Sequence, residues 1–311
     1  MAKIACIGAG TVGRAWAAVF ARAGHDVMLH DAQPDVVSTI ALPRARQIIA
    51  DLETNMPTGA SADEAADRII DAPSIAAAVE GAYYVQESVR EDVDVKRKAF
   101  AEIAQSASPD AILASSTSAL PGSTFLTELA HPERALVAHP VNPPSHIPLV
   151  ELCGSGITSQ KTIDAAHELL TAAGMAPVVV KKEIEGFLLN RLQYTLVAEA
   201  MHLIGEGYCT AEDVDRVMTD GLALRWASIG PFMTAHLNAK NGFQGFVDQL
   251  GPMMRRMGSE AKTDYDWSPQ QATAIHDWLC THTPVKDIPK KQALRDRKIL
   301  ATRKMQADDA S

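Results

Sequence analysis

The chain opens on a short apolar run, Ile4 to Ile7, which gives way to Gly8, Gly10 and Gly13. A helical pattern follows from Arg14 to Ala23, with Trp16, Val19, Phe20 and Ala23 along one stripe. A second apolar run, Val27 to His30, ends at Asp31. Further strand patterns fall at residues 82–86, 111–114, 134–139, 148–152 and 176–180. Helical stretches lie between them, among them 92–106 and 159–173, the second stopped by Gly174. Strands alternating with helices predict an α/β fold, a Rossmann-type doubly wound and mostly parallel sheet with helices on both faces. Residues 35–71 read as a helical excursion off that sheet.

The pattern changes near Lys182. From Glu185 to Glu206 a sparsely charged helix pattern carries Phe187, Leu188, Leu192, Leu196, Val197, Ala200 and Leu203. A helix that is apolar all round is expected to be buried all round. A further helix is expected over 211–219, with Thr210 as N-cap and Asp213 completing a loose capping box. No strand pattern follows Val180. The expected organisation is a nucleotide-binding domain over 1–183 and an all-helical domain over 184–311. The second ends in a charged stretch, Lys290 to Lys304, read as a surface helix or a frayed end.

The three glycines stand in the spacing G-x-G-x-x-G between a strand and a helix, and Asp31 closes the next strand eighteen residues after Gly13. This is the dinucleotide fingerprint in the context it requires. Gly8 permits the tight turn, Gly10 lets backbone approach a pyrophosphate, and Gly13 lets the helix pack on the strand. Thr11 and Val12 belong to the same loop and helix start, where free N–H groups and the dipole favour an anion. Asp31 is placed to accept from a ribose 2′-hydroxyl and to repel a 2′-phosphate. Ala32, Gln33 and Pro34 bring no arginine, so the expected cofactor is NAD.

Composition narrows the class. A chain of 311 residues can bury one large or two modest cores. A formal net charge of -9 argues against a general nucleic-acid binder. Cys6, Cys153, Cys209 and Cys280 are scattered and form no C-x-x-C pair, so they read as reduced thiols and no metal site is expected. The first strand begins at Lys3, which leaves no room for a signal peptide, and no apolar run approaches a membrane span. A cytoplasmic protein is expected.

Four places carry candidate chemistry. The run Ser115 to Ser118 follows a strand end, on the side of the sheet where ligands bind in such folds, although hydroxyl runs also serve as turns and caps. His139 sits at a strand end in a loop stiffened by Pro140, Pro143 and Pro144, where a fixed imidazole suits acid–base work. The other reading is a satisfied structural histidine. Glu151 interrupts an apolar strand and shares a face with Ile147 and Leu149. Buried, it needs a donor such as an imidazole N–H; on an edge strand it would point into water. Asn190 interrupts the apolar helix just after the expected junction, either facing a cleft or holding backbone. Together they make a base, its orienting carboxylate, a hydroxyl and an amide.

These motifs resemble those of the 3-hydroxyacyl-CoA dehydrogenase superfamily over nearly the whole chain, and within it the lambda-crystallin / L-gulonate 3-dehydrogenase branch. Family patterns of the form S-x-T-S, H-P-x-N-P-P, P-L-V-E and G-F-x-x-N-R are met by residues 115–118, 139–144, 148–151 and 186–191. The resemblance implies Ser118, His139, Glu151 and Asn190 as the catalytic set, with His139 taking the proton of a 3-hydroxyl and Glu151 fixing the imidazole. It implies that Ser118 and Asn190 hold the substrate. It also places Glu87, in Val85–Ser88, and Lys96 among the cofactor-binding residues.

Two features argue against a CoA thioester as substrate. From Gln47 to Asp71 the excursion carries one base, Arg68, and six acids (Asp51, Glu53, Asp63, Glu64, Asp67 and Asp71), which would repel CoA phosphates. Only Arg44 and Arg46 oppose this. The stretch Gly221 to Pro231 resembles the gulonate branch, and its Arg225 has the chemistry to clamp a free carboxylate bidentately. A surface salt bridge is the other reading of Arg225. The expected activity is NAD-dependent oxidation of a small free 3-hydroxy acid. The same arginine stretch also resembles carnitine 3-dehydrogenases. The remaining alternatives are a 3-hydroxyacyl-CoA dehydrogenase and a non-catalytic NAD-binding protein. The apolar helices of the second half predict a homodimer.

Overall fold

The computed structural model describes residues 1–59, 61–265 and 268–308 and falls into two compact units, Met1–Asn190 and Arg191–Ser311.

The first unit is built on one eight-stranded sheet in the order β3-β2-β1-β4-β5-β6-β7-β8. Along the chain β1 (Lys3–Ile7) leads to α1 (Thr11–Arg22) and β2 (Asp26–His30). Next come α2 (Leu42–Asn55), α3 (Ala62–Ala66), β3 (Ile69–Asp71), α4 (Ile75–Val79) and β4 (Tyr84–Glu87). Then follow α5 (Val93–Ser106), β5 (Ile112–Ser115), β6 (Ala135–Pro140), β7 (Leu149–Gly154), α6 (Gln160–Ala172) and β8 (Ala176–Val180). Every pairing is parallel except β6–β7, which is antiparallel. The sheet is therefore the Rossmann-type one expected, and its central strands are apolar on both faces because helices cover both.

The order of the strands reverses at β1, with β2 on one side and β4 on the other. The carboxyl ends of strands at such a switch point form a crevice, and the glycine loop opens into it. The stripe on α1 holds it there. Trp16 and Phe20 are fully buried and stacked at 5.4 Å, and Phe20 meets Tyr84 of β4 at 5.7 Å. Truncating an aromatic so placed costs about 3–5 kcal/mol. Helix starts follow the caps readable in the sequence. Asp92 and Ser159 each accept from a backbone N–H of the first turn of α5 and α6.

The excursion over 35–71 is not helical to its end. It closes in β3, three residues that pair with β2 at the sheet edge. So short a strand, with Ile70 exposed, shows no periodicity of its own.

The second unit is helical among its described residues: the body of α7 (Leu189–Gly205), then α8 (Ala211–Arg216), α9 (Ala223–Trp226), α10 (Pro231–Leu237), α11 (Gly242–Glu260), α12 (Pro269–His282) and α13 (Ile288–Asp308). Thr210 caps α8 in a full capping box with Asp213. The charged C-terminal stretch is the exposed helix α13. Two expectations about α7 need correction. It begins at Leu189 because Gly186 and Phe187 both take the left-handed conformation, with φ of 75° and 49°, and break the helix before it starts. Nor is it buried all round in the single chain: Leu192 is 75 % exposed and Tyr194 54 %.

Candidate active site

The glycine loop fits a dinucleotide by shape. Gly8 has φ +95°, and a Cβ there would meet the Ser88 carbonyl oxygen at 2.6 Å. A Cβ on Gly13 would lie 1.8 Å from the Gly8 carbonyl oxygen, so only glycine lets α1 pack on the turn. Gly10, by contrast, has nothing within 4 Å of the Cβ position. That open side is where a pyrophosphate would come against backbone. The start of α1, with Thr11 and Val12, has no side-chain cap and no acid in its first turn, which leaves its N–H groups to an anion. Asp31 accepts from Ala9 N–H at 2.7 Å and Gln33 N–H at 2.9 Å, which fixes the carboxylate beside the loop. These features match NAD and are set against a 2′-phosphate.

His139 and Glu151 stand directly opposite each other in the antiparallel β6–β7 pair. Opposed residues put their side chains on one face about 5 Å apart. The result is a hydrogen bond of 2.8 Å between His139 Nδ1 and Glu151 Oε2, both side chains buried. An ionised carboxylate only accepts, so Nδ1 is the donor, which in the neutral imidazole leaves the lone pair on Nε2. Glu151 is not the solvent-facing edge residue, because β8 lies outside β7. Its other oxygen, Oε1, accepts from the N–H groups of Leu188 at 2.8 Å and Leu189 at 3.1 Å, free donors at the start of α7. Burial alone would raise the Glu151 carboxyl. The bonds from His139, Leu188 and Leu189 outweigh it and hold the group below the usual carboxylate range.

Ser118 and Asn190 join this set. Asn190 Nδ2 donates to the Ser118 carbonyl oxygen at 2.8 Å, and Asn190 follows Leu189 in the chain. The four residues named from the sequence therefore form one run of contacts: His139 to Glu151, Glu151 to the backbone before Asn190, and Asn190 to Ser118. Phe187, which the sequence reading did not single out for the site, packs its ring 5.2 Å from the His139 imidazole. Its positive φ, unusual for a bulky residue, was invisible in the sequence.

Glu87 and Lys96 lie deeper. Lys96 Nζ reaches both Glu87 oxygens at 2.9 and 3.2 Å, with both side chains wholly buried. Burial pushes the Glu87 carboxyl up, while Lys96 and the donors Ser115 Oγ and Val89 N–H pull the other way. Lys96 is also 3.3 Å from Glu91, a residue absent from the sequence reading. Glu91 Oε1 accepts from Thr117 Oγ1 at 2.6 Å, Ser118 N–H at 2.8 Å, Ser118 Oγ at 3.2 Å and Ala119 N–H at 3.2 Å. Burial raises this carboxyl too, and the bonds from Thr117, Ser118 and Lys96 overcome it and lower it. Between Arg90 and Asp92 it reads as an ordinary acidic helix start, which is why it carried no signal.

Arg225 lies on α9 in the second unit, exposed and without an ion-pair partner among the described residues. The described residues hold no group of three metal-ligating side chains, and no helix among them is long and apolar enough to cross a membrane.

A dinucleotide cradle followed along the same sheet by a buried imidazole–carboxylate pair is the equipment of an NAD-dependent oxidoreductase. Comparison with known proteins gives the family. Residues 3–184 match the family model for the 3-hydroxyacyl-CoA dehydrogenase NAD binding domain, and residues 186–266 match that for its C-terminal domain. The chain is 39 % identical over 296 residues to a lambda-crystallin homolog of Bos taurus, covering 94 % of this chain and 92 % of the relative. It is 38 % identical over 258 residues to an L-carnitine dehydrogenase of Oceanobacillus iheyensis, covering 82 % of each. Among solved structures, 5-formyl-3-hydroxy-2-methylpyridine 4-carboxylic acid 5-dehydrogenase, an NAD+-dependent dismutase, aligns with a TM-score of 0.83 at 27 % identity over 99 % of both chains. The chain belongs to the 3-hydroxyacyl-CoA dehydrogenase family, and it is an NAD-dependent oxidoreductase of that family.

Proposed function

We propose that the protein oxidises the 3-hydroxyl of a small free 3-hydroxy acid, of the L-gulonate kind, to the 3-keto acid. The observation that carries this reading is the buried His139–Glu151 bond of 2.8 Å. NAD, when bound, supplies the hydride acceptor. His139 Nε2 takes the hydroxyl proton as C3 gives up its hydride, and Glu151 stabilises the imidazolium that results. Ser118 and Asn190 hold the reacting oxygen and the neighbouring carboxylate. Arg225, exposed on α9, has the chemistry to bind a free carboxylate.

Charge in the excursion supports a free acid over a CoA ester. Two of its bases are already neutralised, Arg46 by Asp67 and Arg68 by Asp26. Arg44 has no acid partner among the described residues, and one guanidinium is poor attraction for a polyphosphate. The likeness to L-carnitine dehydrogenases favours a second reading, a 3-hydroxy acid bearing a quaternary ammonium. The test is NADH formation on L-gulonate, 3-hydroxybutyrate, L-carnitine and 3-hydroxybutyryl-CoA. Turnover on a free acid with the ester inert is the expected result. Preference for the ester overturns the substrate assignment.

We place the protein in the cytoplasm as a homodimer formed through its helical unit. Leu192, Leu224, Phe232, Leu237 and Met257 are each at least 60 % exposed, apolar side chains that a second copy would cover. A monomeric mass by light scattering at micromolar concentration would contradict the dimer.

A further inference from the structure

We propose that Phe187 is the positioning residue of the His139 imidazole: its ring backs the imidazole, and the burial of that ring holds the turn from which Leu188 and Leu189 reach Glu151. This rests on the reading of His139 as the base.

Phe187 stands in a conformation that its side chain disfavours. Its φ of 49° lies in the left-handed region, where a bulky residue is an outlier. Asp35 and His131, the other non-glycine residues found there among those described, are exposed and of types that tolerate it. Phe187 is fully buried. Such a conformation persists only where its surroundings over-determine it.

The ring is what holds it. Phe187 belongs to the apolar core that includes Val137 and Cys153. Those two residues face each other across β6 and β7, two positions along from His139 and Glu151 and on the same face. The ring lies 5.2 Å from the imidazole, with the two planes 31° apart. The backbone around it then serves the site. Gly186 N–H donates to the Ala119 carbonyl oxygen at 3.3 Å, in the loop that carries Ser118. The next two N–H groups after Phe187 go to Glu151 Oε1, and Asn190 follows with its bond to the Ser118 carbonyl.

The ring supplies what the Glu151 bond cannot. One hydrogen bond at Nδ1 fixes a corner of the imidazole and leaves its plane free to swing. The Nε2 lone pair lies in that plane, so its aim at a substrate hydroxyl swings with it. A ring packed against the imidazole removes that freedom. Fully buried, Phe187 has no surface left for substrate or cofactor, and its effect passes through His139 and Glu151.

The experiment compares wild type, Phe187→Leu, His139→Asn and the double variant, on whichever of the four compounds named above wild type oxidises fastest. It reads kcat, KM and the Kd for NADH, with Tm as a check on folding. Misplacing a reacting group by about 1 Å costs on the order of a hundredfold. Phe187→Leu keeps an apolar side chain without the ring. It is expected to lose about tenfold to a hundredfold in kcat, with KM and the Kd for NADH within about threefold of wild type. In the His139→Asn background the same change is expected to cost less than about twofold, because the group it positions is gone. A loss that multiplies undiminished onto that of His139→Asn would overturn the proposal, since a merely structural residue acts whether or not the base is present. So would wild-type kcat in Phe187→Leu, or a loss confined to NADH affinity. Normal turnover in His139→Asn would remove the reading of the base, and the proposal with it. If His139→Asn is slow while Phe187→Leu is not, only the role of Phe187 falls. Should Phe187→Leu fail to fold, Phe187→Met fills the gap with a flexible side chain that has no ring, and the same comparison decides.

Discussion

Asn190 and Ser118 lie 72 positions apart in the chain, yet the amide of one donates to the backbone carbonyl of the other at 2.8 Å. The bond ties the residue that ends the sheet-bearing unit to the loop that follows β5. The hydroxyl loop therefore takes its place from the start of α7 as well as from the strand it follows. Asn190→Ala is expected to release that side of the loop and lower kcat by about tenfold to a hundredfold with an unchanged Kd for NADH. A change confined to Kd would argue that Asn190 serves the cofactor instead.

His139→Asn keeps a side chain of polar character and removes the proposed base. Turnover is expected to fall by at least about two orders of magnitude while NADH binding by fluorescence persists. Retained turnover would sink the proposed mechanism, whatever the substrate.

Glu151 is held below its ordinary pKa, so the stability it contributes is complete at neutral pH and lost as pH falls through its lowered folded value. Glu151→Gln lacks that dependence. The gap in Tm between wild type and Glu151→Gln is expected to be wide at pH 7 and to close below about pH 4. A gap constant from pH 7 to pH 3 would mean that the carboxylate contributes through shape alone.

Two glycines of the fingerprint should separate folding from binding. Gly10→Ala adds a methyl that meets nothing in the protein, so Tm should hold while the Kd for NADH rises about tenfold or more. Gly13→Ala drives the same methyl into the Gly8 carbonyl and should lower Tm as well. Equal behaviour of the two variants in thermal melts would refute this division.

Lys96→Met strips the buried Glu87 of its counter-charge. Breaking a buried pair from one side costs about 3–5 kcal/mol, and adding Glu87→Gln should recover much of it. Urea unfolding of the single and double variants decides the matter. A wild-type midpoint in the single variant would show that the pair contributes nothing.

Much of this was legible in the sequence because the relevant signals are local. The glycine spacing and Asp31 need only the strand–turn–helix context. The twelve-residue gap from His139 to Glu151 is the length of one antiparallel hairpin, and the pairing register places them face to face. What stayed hidden depends on contacts between distant segments. Strand β3 is defined by its partner β2 rather than by periodicity. The late start of α7 comes from left-handed backbone at Gly186 and Phe187, and no composition rule puts a bulky residue there. Glu91 looks like any acid before a helix until the Ser118 loop arrives beside it. The apolar pattern of α7 predicts burial all round, yet Leu192 and Tyr194 are exposed in the single chain, because composition alone does not say which faces find a neighbour.

Glu151 has two employments. One oxygen holds the imidazole, and the other ends the orphan donors where α7 begins. A descendant of this chain that gave up catalysis would still need the acid to keep its junction helix seated. The carboxylate would then outlast the chemistry, and its presence in a relative is a record of architecture. In such a lineage the histidine is the residue free to drift, and its identity is the better witness to whether turnover has been kept.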